Sequence, residues 1–195
     1  MTGIGGDDRA GIALLWLFKD LGHSILVVSS EEKGIRCSRN MPQEFLDRLN
    51  DKHQFFIEFD KPGEQEFKTC FSGSFEFENF LQTNLGYKYA GPSSFTDLCF
   101  LCQKVCGANI SVGYFDLHTK NETVNFKIWY QTYLDFKKFL NQTFQKFTIN
   151  YQENLDLLEE NIAKCNESNL LNHMQAIKSV YVKLIGETEI NKKHE

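Results

Sequence analysis

The sequence predicts an α/β protein, a sheet flanked by helices with a helical extension at its carboxyl end. Three observations predict it. Ser24 to Ser30 (SILVVSS) and Gln54 to Phe59 (QFFIEF) are short β-rich runs without alternation, the pattern of strands buried on both faces. Stretches with helical spacing lie between the strand-like runs. From Asn125 onward helical periodicity takes over altogether.

Taken in order, Gly3, Gly5 and Gly6 make a permissive loop, and Asp7 and Asp8 suit a helix start. Ile12, Leu14, Leu15, Leu17 and Phe18 carry a mostly apolar helix that ends near Gly22. The strand Ser24 to Ser30 follows, with Glu31 and Glu32 at its carboxyl end. Pro42 to Leu49 is a short amphipathic helix with Pro in its first turn. Gln54 to Phe59 is the second strand, ended by Asp60, and Lys61, Pro62 and Gly63 turn the chain. Phe67 to Phe71 reads as a third strand, Phe75 to Leu85 as a helix, Gly91 to Ser94 as a loop and Thr96 to Val105 as a helix. Asn109 to Phe115 is another strand, followed by a loop with His118. Ile128, Trp129, Tyr133, Phe136, Leu140 and Phe144 mark the next helix. Two more fit 151–165 and 168–185, with apolar faces at Leu155, Leu158 and Ile162, then Leu171, Met174, Ile177, Tyr181 and Leu184. No internal repeat is seen. The division expected is a core over 1–147 and a helical extension over 148–195.

Composition narrows the class. A chain of 195 residues fits one domain, or one domain with an appendage. Hydrophobic residues at 42%, charged residues at 24% and 18 Phe give a globular balance with a core to bury. The net charge of −5 disfavours non-specific nucleic-acid binding, which needs a basic surface. No run of 18 apolar residues offers a membrane span, and MTGIGGDD lacks the basic start of a signal peptide, so a cytoplasmic protein is expected. Cys37, Cys70, Cys99, Cys102, Cys106 and Cys165 then read as free thiols. The sequons at Asn109, Asn121, Asn141 and Asn166 read as chance.

The polar residues at strand ends carry the functional signal. Asp7 opens the first helix, Glu31 and Glu32 close one strand, Asp60 closes the next, and His118 follows a third. Ligands of open α/β sheets bind outside the carboxyl ends of strands, so these side chains converge if the strands are neighbours. Carboxylates with one imidazole suit a divalent metal, zinc first, although any α/β protein carries solvated acids in its loops.

The words around these residues sharpen the reading. GIGGDDRAG, VVSSEEKG, IEFDKPG, SSFTDL and ISVGYFDLHTKNE occur in that order. Together they resemble the zinc aminopeptidase and carboxypeptidase clan, most of all its tripeptidase-like bacterial and phage metallo-hydrolases. The likeness runs from about Thr2 to about Phe147. It implies a zinc-peptidase-like (phosphorylase/hydrolase-like) sheet and hydrolysis of peptide or N-acyl amide bonds. In GGDDRAG it makes Asp7 the metal-bridging carboxylate. In SSEEKG it makes Glu31 the general base and Glu32 a metal ligand. In IEFD it makes Asp60 the ligand of the other metal, and in YFDLHTKNE it makes His118 the imidazole ligand. It places the SFTD loop, with Asp97, near the site. The chemistry fits these types: three protein ligands leave a position for water, whose pKa the metal lowers, and an unligated Glu takes its proton.

One element of the clan pattern is unmatched. The first metal ligand of such proteins is the His of a His-X-Asp motif well before GGDD, and neither His23 nor His53 matches it. The expectation is an N-terminally truncated catalytic core, with one zinc site complete on paper from Asp7, Glu32 and His118 and a second keeping Asp7 and Asp60. A sheet shortened in this way exposes an edge and an apolar face, to be covered by the C-terminal helices, a complementing chain or another copy. The 57 residues between Asp60 and His118 leave no room for the lid and dimerisation domain of many clan members. The alternative is a catalytically inactive homologue serving as a binding or assembly subunit, or half of a split enzyme.

Other features have plainer readings. Cys99, Cys102 and Cys106 share one face of the expected helix, where thiols pack more readily than they ligate a cluster. The stripe from Trp129 to Phe144 is core, Glu153 to Glu160 a solvated face, and His173 a surface or core residue. GIGG lacks a following Gly-Lys-Ser/Thr, which excludes a phosphate loop.

Overall fold

Four short strands form the main sheet: β1 (Phe56–Lys61), β2 (Glu66–Lys68), β3 (Lys88–Tyr89) and β4 (Gly107–Ser111), in the order β1-β4-β2-β3. The computed structural model describes residues 4–29, 33, 35–92 and 95–192, without the side chains of residues 169, 173, 180, 183, 184 and 186–192. β1 runs parallel to β4, β4 antiparallel to β2, and β2 parallel to β3, so the sheet is mixed. All five residues of β4 are buried, as a strand with neighbours on both sides requires, whereas β1 lies at the edge and buries only Phe59. A second, two-stranded sheet pairs β5 (Tyr114–Phe115) with β6 (Thr123–Val124).

The helices cover both faces. On one face α1 (Gly6–Phe18), α4 (Phe75–Leu85) and α6 (Phe126–Phe139) gather. Phe59 meets Phe18 at 5.8 Å and Phe136 at 4.8 Å between ring centroids. Beyond the amino end of β1, Phe55 touches Phe77, Phe144 and Phe147 at 5.1–5.9 Å. Ser74 caps α4 by accepting the Phe77 N–H at 3.3 Å, and Gly86, with φ 72°, ends it in the left-handed region where glycine is favoured. Asn125 caps α6 in the same manner.

The opposite face carries α2 (Arg36–Arg39), α3 (Gln43–Lys52) and α5 (Leu98–Leu101). Gly107 pairs with Phe56 and so faces away from Phe59; Leu98 and Cys102 lie against it where a side chain would stand. The buried Asn50 of α3 pins the next turn: its amide accepts the N–H groups of Gln103 and Lys104 at 2.9 Å and donates to the Leu101 carbonyl at 2.8 Å. α7 (Tyr151–Lys164) and α8 (Ser168–Lys192) form a hairpin that buries Leu158, Met174, Ile177 and Tyr181. Tyr181 donates its hydroxyl to the Phe71 carbonyl, and Asn154 donates to the Gly73 carbonyl at 2.9 Å, tying the hairpin to the core. No helix among the described residues is long and apolar enough to cross a membrane.

The α/β class is as expected, and several elements differ. Residues 24–29 join no ladder, and Ile25, Leu26 and Val27 are 40%, 38% and 61% exposed, so the expected buried strand is absent; Ser30 lies outside the described residues. The expected helix over 96–105 is only α5, because Cys102 is already extended (ψ 102°). Cys99, Cys102 and Cys106 therefore do not share one helix, although all three are buried. Cys70 and Phe71 have φ of 53° and 55° and make a turn, which cuts the third strand to β2. Gly113 (φ 81°) divides the expected 109–115 strand into β4 and β5.

Gly11 fixes how α1 meets the sheet. A Cβ built there would overlap the Phe59 carbonyl oxygen, so α1 crosses β1 backbone to backbone. Trp129 locks the same turn by donating from Nε1 to the Ala10 carbonyl at 2.9 Å. Gly11→Ala is expected to cost about 3 kcal/mol, the upper range of overpacking, read as a lower denaturant midpoint at unchanged slope.

Candidate metal centre

Asp7 sits where α1 has not yet become regular. Gly5 is left-handed (φ 68°), Asp7 extended (φ −54°, ψ 136°) and Asp8 left-handed (φ 61°). The buried Glu122, just before β6, accepts the N–H of Gly6 and, at 3.2 Å, that of Asp7. It satisfies amides that a helix start leaves unpaired, and its charge is favourable at that end of the helix dipole. The Asp7 carboxylate is then fixed: Oδ1 accepts the Asp8 N–H at 3.0 Å, and Oδ2 lies 3.0 Å from His118 Nε2.

Asp60 lies inside β1 rather than ending it. The β1–β4 register slips between Glu58 and Lys61, and there the Asp60 N–H donates to Asn109 Oδ1 at 3.0 Å while its carbonyl accepts the Tyr114 hydroxyl at 3.1 Å. Such irregularities re-aim side chains. One carboxylate oxygen from each of Asp7, Asp8 and Asp60 lies within 4.8 Å of the others. His118 reaches Asp7 from the β5–β6 connection, with a left-handed backbone (φ 60°) and its side chain 57% exposed.

Two further acids stand behind these. Glu58 is half-buried, yet its Oε2 is sealed from solvent with no hydrogen-bond partner among the described residues. Burial, then Cys70 and Asp60, push its carboxyl well up against a hydrogen bond from Thr96. Burial also raises Asp97, which accepts a 2.5 Å hydrogen bond from Ser38 and feels the charge of Asp8. Asp8 itself is raised by burial and by Asp7, with His118 opposing. Burial, Asp60 and Asp7 raise the Tyr114 phenol, which stays a neutral donor. Asp8, Glu58, Asp60 and Asp97 line one end of a cavity of about 840 Å³ between residues 24–29 and β1, together with Lys33.

The donor set suits a divalent cation. Two full charges about 5 Å apart near a protein surface repel by roughly 3 kcal/mol, and a bound dication reverses that term. Ligand atoms sharing one tetrahedral zinc lie roughly 3.4 Å apart, given bond lengths of ~2.0–2.2 Å. The 3.0 Å between Asp7 Oδ2 and His118 Nε2 is a direct polar contact, and the three Asp oxygens lie within 4.8 Å of one another.

Of the site residues the sequence names, Asp7 and Asp60 come together, and His118 lies against Asp7. Asp97 adjoins them through Asp8. Glu31 and Glu32 lie outside the described residues, as does the side chain of His173. His23 and His53 line the same cavity, His23 close to Phe144 and His53 close to Phe56, at the amino end of β1. Sequence reasoning missed Asp8, Glu58, Tyr114 and Glu122. Glu58 carried a legible signal, an acid inside an apolar run; Glu122 carried none, since its role depends on the β5–β6 hairpin. Burial keeps the Cys99 and Cys102 thiols raised and pushes Cys106 up to about 12, consistent with packed neutral thiols. Compared with family models, curated proteins and solved structures, the chain matches none.

The raised carboxyls set a pH dependence for metal-free protein. Glu58, Asp97 and Asp8 hold protons when folded that they lose when unfolded, near pH 4. Their contribution is therefore fully present below about pH 4 and is lost as pH rises through the folded values. Glu58→Gln is expected to raise metal-free stability at pH 8 by about 1 kcal/mol and to flatten its decline between pH 4 and pH 8, followed by denaturant unfolding.

Proposed function

We propose that the chain is a zinc-dependent hydrolase of the aminopeptidase and carboxypeptidase clan, acting on peptide or N-acyl amide bonds. The observation that carries this reading is the approach of Asp7, Asp8 and Asp60 to within 4.8 Å of one another, with His118 against Asp7 at 3.0 Å; Asp7, Asp60 and His118 belong to three separate motifs. In this reading Asp7, Glu32 and His118 would hold one zinc, and Asp60 together with Asp7 would contribute to a second. Bound zinc supplies an activated water and an electrophile for the scissile carbonyl. Glu31 accepts a proton from the attacking water and delivers it to the leaving amine. Glu122 and Tyr114 orient Asp7 and Asp60 for this work through the bonds described above. All six cysteines are free thiols, which suits the cytoplasmic location we assign.

A second reading is a catalytically inactive relative that serves as a binding or assembly subunit. The large apolar cavity beside the exposed residues 24–29 favours it.

Metal content per chain separates the two. Protein purified without chelator is expected to retain about one or two equivalents of zinc after dialysis, and Asp7→Ala or His118→Ala to lose most of it while staying folded. Zinc that is absent from the parent, or unaffected by both substitutions, overturns the metal reading. If zinc is present, peptide hydrolysis by Glu31→Gln is expected to fall at least 100-fold at unchanged zinc content; equal activity removes Glu31 from the reaction.

A further inference from the structure

Two stretches of backbone flank the cavity. β1 pairs with β4 on one side only, so no strand lies along its other edge among the described residues. Phe56 donates its N–H to Cys106 on the β4 side at 2.9 Å, and in a parallel ladder alternate residues point the other way. Ile57 thus presents its backbone groups to the open edge, whereas the Phe59 carbonyl is covered by Gly11. Residues 24–29 form the other wall. They carry the β-prone run Ile25 to Val28, yet join no ladder and expose three of its side chains. Local preference and surroundings conflict along the length of this wall.

We propose that the slot accepts one extended segment of a partner polypeptide as an added strand, hydrogen-bonded to β1 and to residues 24–29. Only a polypeptide in extended form supplies backbone donors and acceptors to both walls at once. Charge fixes the chemistry of the segment. One end of the slot holds Asp8, Glu58 and Asp97 against the single described Lys33, while the other holds His23, His53 and Phe55. Glu58 lines that end, with its Oε2 already sealed from solvent and without a hydrogen-bond partner among the described residues. The segment is therefore apolar and β-branched in its middle and carries Lys or Arg at the end that meets Glu58. The proposal is independent of the hydrolase reading, because its readouts are binding and amide exchange rather than zinc content or turnover.

The test uses the full chain and two labelled peptides, Thr-Val-Ile-Val-Thr-Lys-Lys and Lys-Lys-Thr-Val-Ile-Val-Thr, each capped at both ends. One of them is expected to bind, and to lose at least tenfold in affinity when its central residues are N-methylated. The same core flanked by Glu is expected to bind at least tenfold more weakly. Amides of residues 25–28 are expected to exchange at least tenfold more slowly in the complex. In a strand-paired wall successive residues point their N–H groups oppositely, so one of Val27→Pro and Val28→Pro is expected to abolish binding and the other to retain it, both at exposed or half-buried positions. Binding that ignores N-methylation, slowed exchange confined elsewhere, or no binding by either peptide overturns the proposal. So does saturable binding of laurate in place of the peptides, or protection of 25–28 that appears with protein concentration alone, which assigns the slot to a second copy.

Discussion

The crossing of α1 over β1 at Gly11 governs the rest of the molecule. With no side chain at that position, the helix backbone rests against the Phe59 carbonyl, closer than any other residue permits. The helix start is then pinned next to the carboxyl end of β1, so that Asp7 and Asp8 face Asp60. The same crossing sets Phe18 over Phe59 and brings Trp129 of α6 within hydrogen-bond reach of Ala10. It also stops short of the amino half of β1, which leaves that part of the edge open to the cavity. One close contact thus produces both the acidic cluster and the slot beside it.

Gathering carboxylates at the sheet end works against stability, and the surrounding structure compensates locally. Glu122 occupies the amides of Gly6 and Asp7, Tyr114 stays protonated and donates to Asp60, and Asn109 replaces a lost ladder partner. These bonds orient the cluster without neutralising it. The left-handed backbone at Asp8 and His118 adds strain in the two loops that supply the site. The cost of such an arrangement is borne by the aromatic core, where Phe55, Phe77, Phe80, Phe139, Phe144 and Phe147 form one continuous cluster.

How much of this was legible in the sequence follows from which interactions are local. The helices at Phe75–Leu85, Phe126–Phe139 and Tyr151–Lys164 were readable because caps and apolar periodicity are carried by neighbouring residues. The ordered motifs named Asp7 and Asp60, which lie in one acidic cluster, but gave no sign of Asp8, the third member. Residues 24–29 were misread because composition reports what a segment prefers, not what lies beside it, and here no strand completes the ladder. The helix expected over 96–105 failed for a similar reason: Asn50, about fifty residues away, holds the Gln103–Lys104 turn and ends α5 early. Glu122 was invisible because its purpose depends on a hairpin that folds it back onto residues more than a hundred positions earlier.

The cluster and the slot are physically coupled because they share Asp8 and Asp60. Filling the slot excludes water from the acidic end, which lowers the local dielectric and strengthens every interaction of those carboxylates. Repulsion among them rises at the same time, so a cation gains more from the filled state than from the open one. The relation is reciprocal: a cation that neutralises the cluster removes part of the penalty for excluding water from Asp8 and Asp60, and the slot then accepts an occupant more readily by the same factor. An occupant that brings its own positive charge competes for the same carboxylates and inverts the sign. The two outcomes differ only in the charge carried into the slot, and Asp8 and Asp60, which belong to both cluster and slot, are where they diverge.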